Sequence, residues 1–284
     1  MDAANPLFQA IIVPLVLGLA LAIMLQVVGR KGWGGLAVLA GILVGYVLFK
    51  HGVPSFPPPQ AIEKLFYLAI GAALLGLIVE LAGAPPALER AALVLAPAAV
   101  VLWLVWRRLI GGPDLEFIVI AAVVWLGGTA FLFGLRETDK AGGAVSAAIA
   151  VVAAAIGFAI VAHLGRSDTL ALHAGTVAAA AGALGLLGLA TQLFAGRRDG
   201  FGLIGVLTAG TAFVTLAAVL ALYTPTASRW ALLLLILVPL AGTAVRPPRF
   251  QKNIPGTAAN AAVAALVAAI PALAAVGLAY LAAD

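Results

Sequence analysis

Long apolar runs alternate with short polar breaks along the whole chain. Most runs approach the roughly 20 residues that a helix needs to cross a bilayer, and several are apolar at every position, as at 231–238. Strands of a membrane barrel would instead alternate in character over about 10 residues. The pattern predicts an all-α polytopic membrane protein, a bundle of about ten transmembrane helices with no soluble domain. The predicted spans are Leu7–Val28, Trp33–Phe49, Leu65–Gly83, Ala91–Trp106, Phe117–Leu135, Ala141–Ala162, Leu170–Ala195, Phe201–Tyr223, Trp230–Val245 and Thr257–Ala282.

The second, fourth and ninth predicted spans are short. Each has about 16 or 17 residues, near the lower limit for crossing the hydrocarbon core, so nine crossings is the alternative. The first run, Leu7–Val28, follows Asp2 rather than the positive residues of a secretory signal, and we interpret it as a retained helix. The prediction is a single transmembrane domain over 1–284, with five-helix halves 1–140 and 141–284 as a finer interpretation.

The composition requires a solvent other than water. Hydrophobic residues make up 64% of the chain and charged residues 10%, and the mean hydropathy is +1.17. A soluble domain is about 45–50% apolar and about 25% charged, so this chain could not cover its surface with polar groups. The lipid bilayer is therefore the first expected partner. The absence of cysteine excludes disulfides, thiolate metal sites and a cysteine nucleophile.

The basic residues indicate an orientation and not a nucleic-acid interface. The formal net charge is +5, but Lys and Arg occur at most in pairs such as Arg107–Arg108, whereas phosphate binding needs clusters. The odd-numbered loops carry ten Lys and Arg residues and the even-numbered loops carry six. The positive-inside bias then predicts odd loops in the cytoplasm, both termini outside it, and location in the bacterial inner (cytoplasmic) membrane.

Glu80 is the single acidic residue inside a predicted span. A carboxylate in hydrocarbon is costly unless it is paired, protonated or hydrated, so such residues mark ion or substrate pathways. Because Glu80 lies three residues before the end of its span at Gly83, contact with headgroup water is the alternative.

Three threonines and two prolines are further candidates for a substrate pathway. Thr208, Thr211 and Thr215 share one helical face. They form either a weakly polar wall or a packing face whose hydroxyls bond to carbonyls one turn earlier. Pro97 and Pro239 lie inside the fourth and ninth spans, where each frees a backbone carbonyl. Transporters build sites at such broken helices, and simple kinks are the alternative.

His163 and His173 bracket the connection between the sixth and seventh spans. Two histidines on adjacent helices could ligate a haem or a metal, with Asp168 orienting one ring. A pair without a further ligand is a weak signature, and interfacial histidines that bind nothing are commoner. No other motif in the chain indicates a cofactor, and none is assigned.

Three classes of function remain. The first is a transporter or permease for a small neutral or apolar solute, favoured by the bare helical architecture, the intramembrane prolines and the scarcity of buried charge. The second is a non-catalytic scaffold that docks on other membrane protein subunits through its Ala- and Gly-rich faces. The third is a membrane-embedded lipid-modifying enzyme, for which His163, Asp168 and His173 are the available cluster. No catalytic residue is assigned, and the substrate stays unknown.

Overall fold

The computed structural model is all-helical over the residues that it describes, which are 5, 8–27, 33–50, 52–197, 199–224, 226–244 and 257–282. A π-helical turn at Phe8–Ile12 leads into the first α-helix. The helices are α1 (Val13–Val27), α2 (Gly34–Lys50), α3 (Lys64–Leu81), α4 (Pro86–Ile110), α5 (Leu115–Leu164), α6 (Asp168–Phe194), α7 (Gly202–Tyr223), α8 (Arg229–Ala244) and α9 (Thr257–Leu281).

These helices are consistent with an α-helical membrane protein, but they do not confirm the count of ten spans. Seven are long and apolar enough to cross a bilayer, and α2 and α8 are shorter. The helix boundaries differ from the sequence prediction in two places. The predicted fourth span, Ala91–Trp106, is part of the 25-residue α4, which continues through charged residues at both ends. The predicted polar break at 136–140 is helical and lies inside α5, because its charged side chains are paired with one another and with α4.

One glycine divides α5 into two arms, a first arm of residues 115–142 and a second arm of residues 144–164. Gly143 has φ +68° and ψ −167°, a conformation open almost only to glycine. A Cβ at this position would also lie 2.8 Å from the backbone oxygen of Asp199. The same oxygen accepts the N–H of Ala144 at 2.8 Å. The second arm therefore begins with one of its free backbone donors satisfied.

The first arm of α5 runs in the same direction as α8. Glu116, near the start of the arm, pairs with Arg229 at the start of α8, with an N–O distance of 2.7 Å. Farther along both helices, a Cβ placed on Gly134 would lie 2.9 Å from a methyl carbon of Leu240. Both residue numbers increase together, so the two helices are parallel.

The second arm runs against α8. A Cβ on Gly157 would lie 2.8 Å from a methyl carbon of Leu235, whereas one on Gly165 would lie 3.2 Å from Ala227, which precedes α8. Because α8 is parallel to the first arm and antiparallel to the second, the chain reverses direction at Gly143.

The helix α7 lies at the centre of the bundle and is buried along almost its whole length. It packs against α2, α3, α4, α5 and α6. Small residues permit the close approach: a Cβ on Gly76 would lie 2.8 Å from the Cα of Ile204. Gly41 likewise brings α2 against Ala180 of α6. This is the packing expected of membrane helices, where small residues let backbones come together.

The helix termini meet in two groups, at opposite ends of the bundle. At the charged end, the last turns of α1 and α3 meet the first turns of α4 and α7 and the turn at Gly143. At the opposite end, the start of the first arm meets the start of α8, and the end of the second arm meets Thr226. There, too, the hydroxyl of Tyr223 donates to the carbonyl of Leu104 at 2.7 Å. From α3 to α8, successive connections therefore lie at alternate ends of the bundle.

Candidate functional site

A cluster of charged side chains joins four parts of the chain at the charged end. It draws on the end of α3, the start of α4, the turn within α5 and the connection between α6 and α7. Hydrogen bonds or ion pairs link five of these groups to one another or to the start of the central helix. The sixth, Asp199, is joined to the turn within α5 through its backbone oxygen. This charged cluster consists of Glu80, Glu89, Arg136, Asp139, Lys140 and Asp199.

Arg136 is the centre of the ion pairs. Its guanidinium binds Glu89 through two hydrogen bonds of 2.9 and 3.1 Å, and Asp139 through a third of 3.0 Å. Lys140 also pairs with Glu89, at 2.9 Å. A bidentate arginine–carboxylate contact is among the stronger polar contacts in proteins, and Arg136 is only 18% exposed. These contacts fasten α4 to the turn of α5.

Two carboxylates from other helices cap the N-terminus of α7. Asp139 accepts the N–H groups of Phe201 at 2.6 Å and Gly202 at 3.2 Å, and Glu80 accepts the N–H of Leu203 at 2.5 Å. The first turn of a helix has free N–H donors and a partial positive charge, so both carboxylates are stabilising there. The central helix is thereby held by α3 and α5 at the same time.

Asp199 extends the charged cluster to α1. Its side chain accepts a hydrogen bond from Gln26 at 3.0 Å, and its backbone oxygen caps the second arm of α5. The connection between α6 and α7 is thus tied both to the last turn of α1 and to the reversal of α5.

An apolar cavity of about 330 Å³ lies toward the opposite end, between the first arm of α5, α7 and α8. The rings of Phe131 and Phe213 are stacked at its inner part, with centroids 4.5 Å apart. Arg229 and Trp230, at the start of α8, line its outer part. A ligand inside would meet aliphatic and aromatic side chains along most of its surface, as in many small-molecule sites.

The three predicted threonines lie buried on α7, between the charged cluster and the end of the helix. Thr208 and Thr215 donate to the carbonyls of Ile204 and Thr211, each at 2.7 Å. This is the geometry of the packing-face interpretation. The hydroxyl of Thr211 has no hydrogen-bond partner among the described residues. A role for the three in a pathway stays a prediction.

Both predicted prolines face glycines of the first arm of α5. A Cβ on Gly128, which lines the cavity, would lie 3.1 Å from Pro97, and one on Gly134 would lie 3.2 Å from Pro239. Thr138 also donates to the carbonyl of Pro239 at 3.1 Å. The structure thus places Pro97 beside the cavity and Pro239 beside the reversal of α5, and their role in a pathway stays a prediction.

The two predicted histidines lie in different environments. His163 is exposed and forms a hydrogen bond of 2.6 Å with Asp168, the residue expected to orient a ring. His173 is buried, stacked on Tyr46 and edge-on to Phe49, and its Nε2 has no partner among the described residues. Within those residues, no group of three or more His, Asp or Glu side chains is arranged to hold a metal ion.

Glu80 was identified as a candidate from the sequence, but Arg136 and Asp139 of the same charged cluster were not. The role of Glu80 as an ion or substrate contact stays a prediction, and the structure adds that it caps α7. Asp139 and Arg136 were missed because the stretch 136–140 was interpreted as a loop. The available signal was their spacing, since residues i and i+3 of opposite charge pair on a helix.

No protein-family model matches the chain, and no curated protein sequence matches it at a significant level. The charged cluster and the apolar cavity are therefore the features from which a function is inferred.

Proposed function

We propose that the chain is an integral membrane transporter or permease for a small neutral or apolar solute. The observation that carries the proposal is the contrast between the two ends. Ion pairs and hydrogen bonds join the helices at the charged end, whereas an apolar cavity lies between three helices toward the opposite end. A transporter in which access alternates has this arrangement when one side is closed and the other is open.

The charged cluster acts as the closed gate in this proposal. Separating α4 from α5 would break the two hydrogen bonds from Arg136 to Glu89 and the ion pair between Lys140 and Glu89. Separating α5 from α7 would break the two hydrogen bonds that Asp139 accepts from the N–H groups of Phe201 and Gly202. Such contacts contribute about 1.5–3 kcal/mol each when a charged group takes part, so the closed gate is stable without being permanent.

The apolar cavity is the proposed solute site. Its volume of about 330 Å³ lies at the lower end of the roughly 300–1,000 Å³ found for small-molecule sites. Its apolar walls favour a solute with few polar groups, since a polar group buried there without a partner is destabilised. A multiply charged solute is disfavoured for the same reason.

Thr211 lies on α7 between the gate and the cavity. It follows Leu203 of the cap by about 12 Å along the helix axis and precedes the cavity residue Phe213. Its free hydroxyl provides a polar contact on the proposed path. A thiol at this position therefore reports on opening from the charged end.

Opening of the gate can be tested without knowing the solute. The chain has no cysteine, so Thr211→Cys introduces a single thiol at a site that is 1% exposed. We expect Arg136→Gln or Glu89→Gln to raise its rate of labelling from the charged end at least about tenfold, because each removes ion pairs of the gate. Arg90→Gln, an exposed neighbour of Glu89, is the matched control and should leave the rate unchanged. Equal rates in all variants would count against the gate.

Uptake tests the function itself. Purified protein in liposomes should admit members of a panel of labelled neutral solutes, such as glycerol, indole and decanol, faster than protein-free liposomes do. Ala217→Phe, which fills the cavity, should abolish the difference, whereas Leu266→Phe on the exposed face of α9 should not. If no solute enters faster than it enters protein-free liposomes, stoichiometric recovery of other membrane subunits would support the scaffold interpretation instead.

We also propose ten crossings. A straight helix of 50 residues would be about 75 Å long, far more than a hydrocarbon core of about 30 Å. With the reversal at Gly143, each arm of α5 has a length suited to one crossing. The halves 1–140 and 141–284 stay a prediction, and the reversal lies three residues beyond their boundary.

Labelling of single cysteines tests the crossings. Glu116, Glu137 and Asp168 are exposed, with side-chain exposures of 72%, 59% and 77%. Cysteines at 116 and 168 should react with an impermeant maleimide from one side of the membrane, and a cysteine at 137 from the other. Positions 116 and 168 on opposite sides would mean that α5 crosses once.

The same labels test the orientation. We propose that the charged end faces the cytoplasm of a bacterial inner membrane, with both termini outside, because odd loops carry more Lys and Arg. The cysteine at 137 should then react only from the cytoplasmic side. Residues that enter this loop count but lie outside the described residues are Arg30, Lys31, Arg198, Arg246, Arg249 and Lys252.

A further inference from the structure

Among the residues that the structure describes, one charged side chain lines the apolar cavity. Arg229 stands at the first position of α8. The remaining lining consists of aliphatic and aromatic side chains and Gly128. The carboxylate of Glu116, which pairs with Arg229 at 2.7 Å, lies outside this lining. The cavity therefore combines an apolar body with a single positive charge.

The ion pair between Arg229 and Glu116 is exposed, so another carboxylate can exchange with that of Glu116. The side chain of Arg229 is 46% exposed and that of Glu116 is 72% exposed. Ion pairs that water reaches in this way are weak. Another carboxylate could therefore take the place of Glu116 at small cost. Trp230, 72% exposed beside Arg229, is of the residue type that marks the level of lipid headgroups.

The dimensions of the cavity favour one short hydrocarbon chain. Its volume of 330 Å³ is about eleven times the roughly 30 Å³ that a water-sized group occupies in the liquid. Between Arg229 and Ile236, both of which line it, α8 advances by about 10 Å. A chain of about ten carbon atoms matches this space, whereas the two long chains of a phospholipid exceed it.

We infer that the cavity binds a single-chain amphiphile with a carboxylate head, a medium-chain fatty acid in chemical class, with its head at Arg229 and its tail toward Phe131 and Phe213. This inference deepens the proposed function, on which it rests for transport, and it extends the class of solute to an apolar chain with a single acidic end. The ligand carboxylate displaces Glu116 from the guanidinium, and the tail packs against the apolar lining.

Binding of three probes with the same tail tests the inference. Decanoate, decanol and decylammonium are titrated into the full-length protein in phosphatidylcholine nanodiscs, with empty nanodiscs as the blank. Decanoate should bind about tenfold more tightly than decanol, the effect of one charge-assisted hydrogen bond, and decylammonium should bind most weakly. Arg229→Gln should lower the affinity for decanoate about tenfold and leave that for decanol unchanged.

Glu116→Gln separates a binding role from a structural one. Because Glu116 competes with the ligand for Arg229, its removal should strengthen decanoate binding, opposite in sign to Arg229→Gln. A purely structural ion pair would make both substitutions act in the same direction, and that result would overturn the inference. Equal affinities for decanoate and decanol would overturn it too, as would full binding by Ala217→Phe.

The outcomes also separate this inference from the proposed function. If decanoate does not bind but Ala217→Phe still abolishes uptake of a neutral solute, the fatty-acid site is wrong and the permease stands. If decanoate binds as expected but neither it nor any solute of the panel is taken up, the site stands and the permease is wrong.

Discussion

Replacing Asp139 by alanine is expected to destabilise the protein by about 3–5 kcal/mol. The carboxylate accepts three hydrogen bonds, from Phe201, Gly202 and Arg136, and its side chain is only 4% exposed. Alanine would leave two N–H donors of α7 without a partner, at about 1–3 kcal/mol each. Arg136 would keep Glu89, so the lost ion pair adds less than the lost cap.

The assay is unfolding of the purified protein in mixed micelles by increasing mole fraction of SDS, followed by far-ultraviolet circular dichroism. Asp139→Asn retains one acceptor oxygen and should cost about half as much as Asp139→Ala. Glu137→Ala is the matched control, because Glu137 lies two residues away in the same helix and is 59% exposed. Its loss should change the free energy of unfolding by less than about 0.5 kcal/mol.

The reasoning is refuted if Asp139→Ala and Glu137→Ala unfold within about 0.5 kcal/mol of each other. That outcome would mean that water or another residue satisfies the start of α7, and that the charged cluster does not hold the helices together. A large loss for Asp139→Asn, equal to that for alanine, would instead assign the stability to the charge and not to the cap.

Two further substitutions test other parts of the fold by the same assay. Gly143→Ala should destabilise the protein by about 1–3 kcal/mol, because the backbone conformation is strained for alanine and the methyl group meets the carbonyl of Asp199. The control Gly71→Ala, at an open helical position, should stabilise it by up to about 1 kcal/mol. A neutral effect of Gly143→Ala would contradict the reversal of α5. His163→Ala should change stability by less than about 1 kcal/mol, because its bond to Asp168 is exposed, and a larger loss would reveal a contact beyond that bond.

The positions of the helices could be predicted because a bilayer constrains them strongly. Each helix needs an apolar run of about 20 residues, so the runs themselves locate the spans. The boundaries were less predictable where charged residues stay helical. Glu89 and the stretch 136–140 were interpreted as breaks, because nothing local shows that Arg136 has a partner 47 positions away.

The charged cluster was beyond sequence reasoning for a physical reason. Asp139 binds backbone N–H groups 62 and 63 positions later. Every residue except proline has a backbone N–H, so the residue type does not show which of these groups binds a carboxylate. The reversal at Gly143 was equally hidden, since many glycines in the chain lie in ordinary helical positions, as Gly71 does. The cavity was hidden as well, because it depends on how three helices separate and not on any one of them.

The two candidate features act on the same pair of helices. The charged cluster joins α7 to the turn of α5, and the cavity separates α7 from the first arm of α5 farther along. Between them, the stacked rings of Phe131 and Phe213 are one contact that joins the arm to α7 beside the cavity. A ligand can shift a conformational equilibrium only by its difference in affinity for the two states. A solute in the cavity can therefore influence the proposed gate only if opening changes the contacts of the solute with the first arm or with α7. The Phe131–Phe213 pair belongs to both helices and lines the cavity, so a change there would alter those contacts.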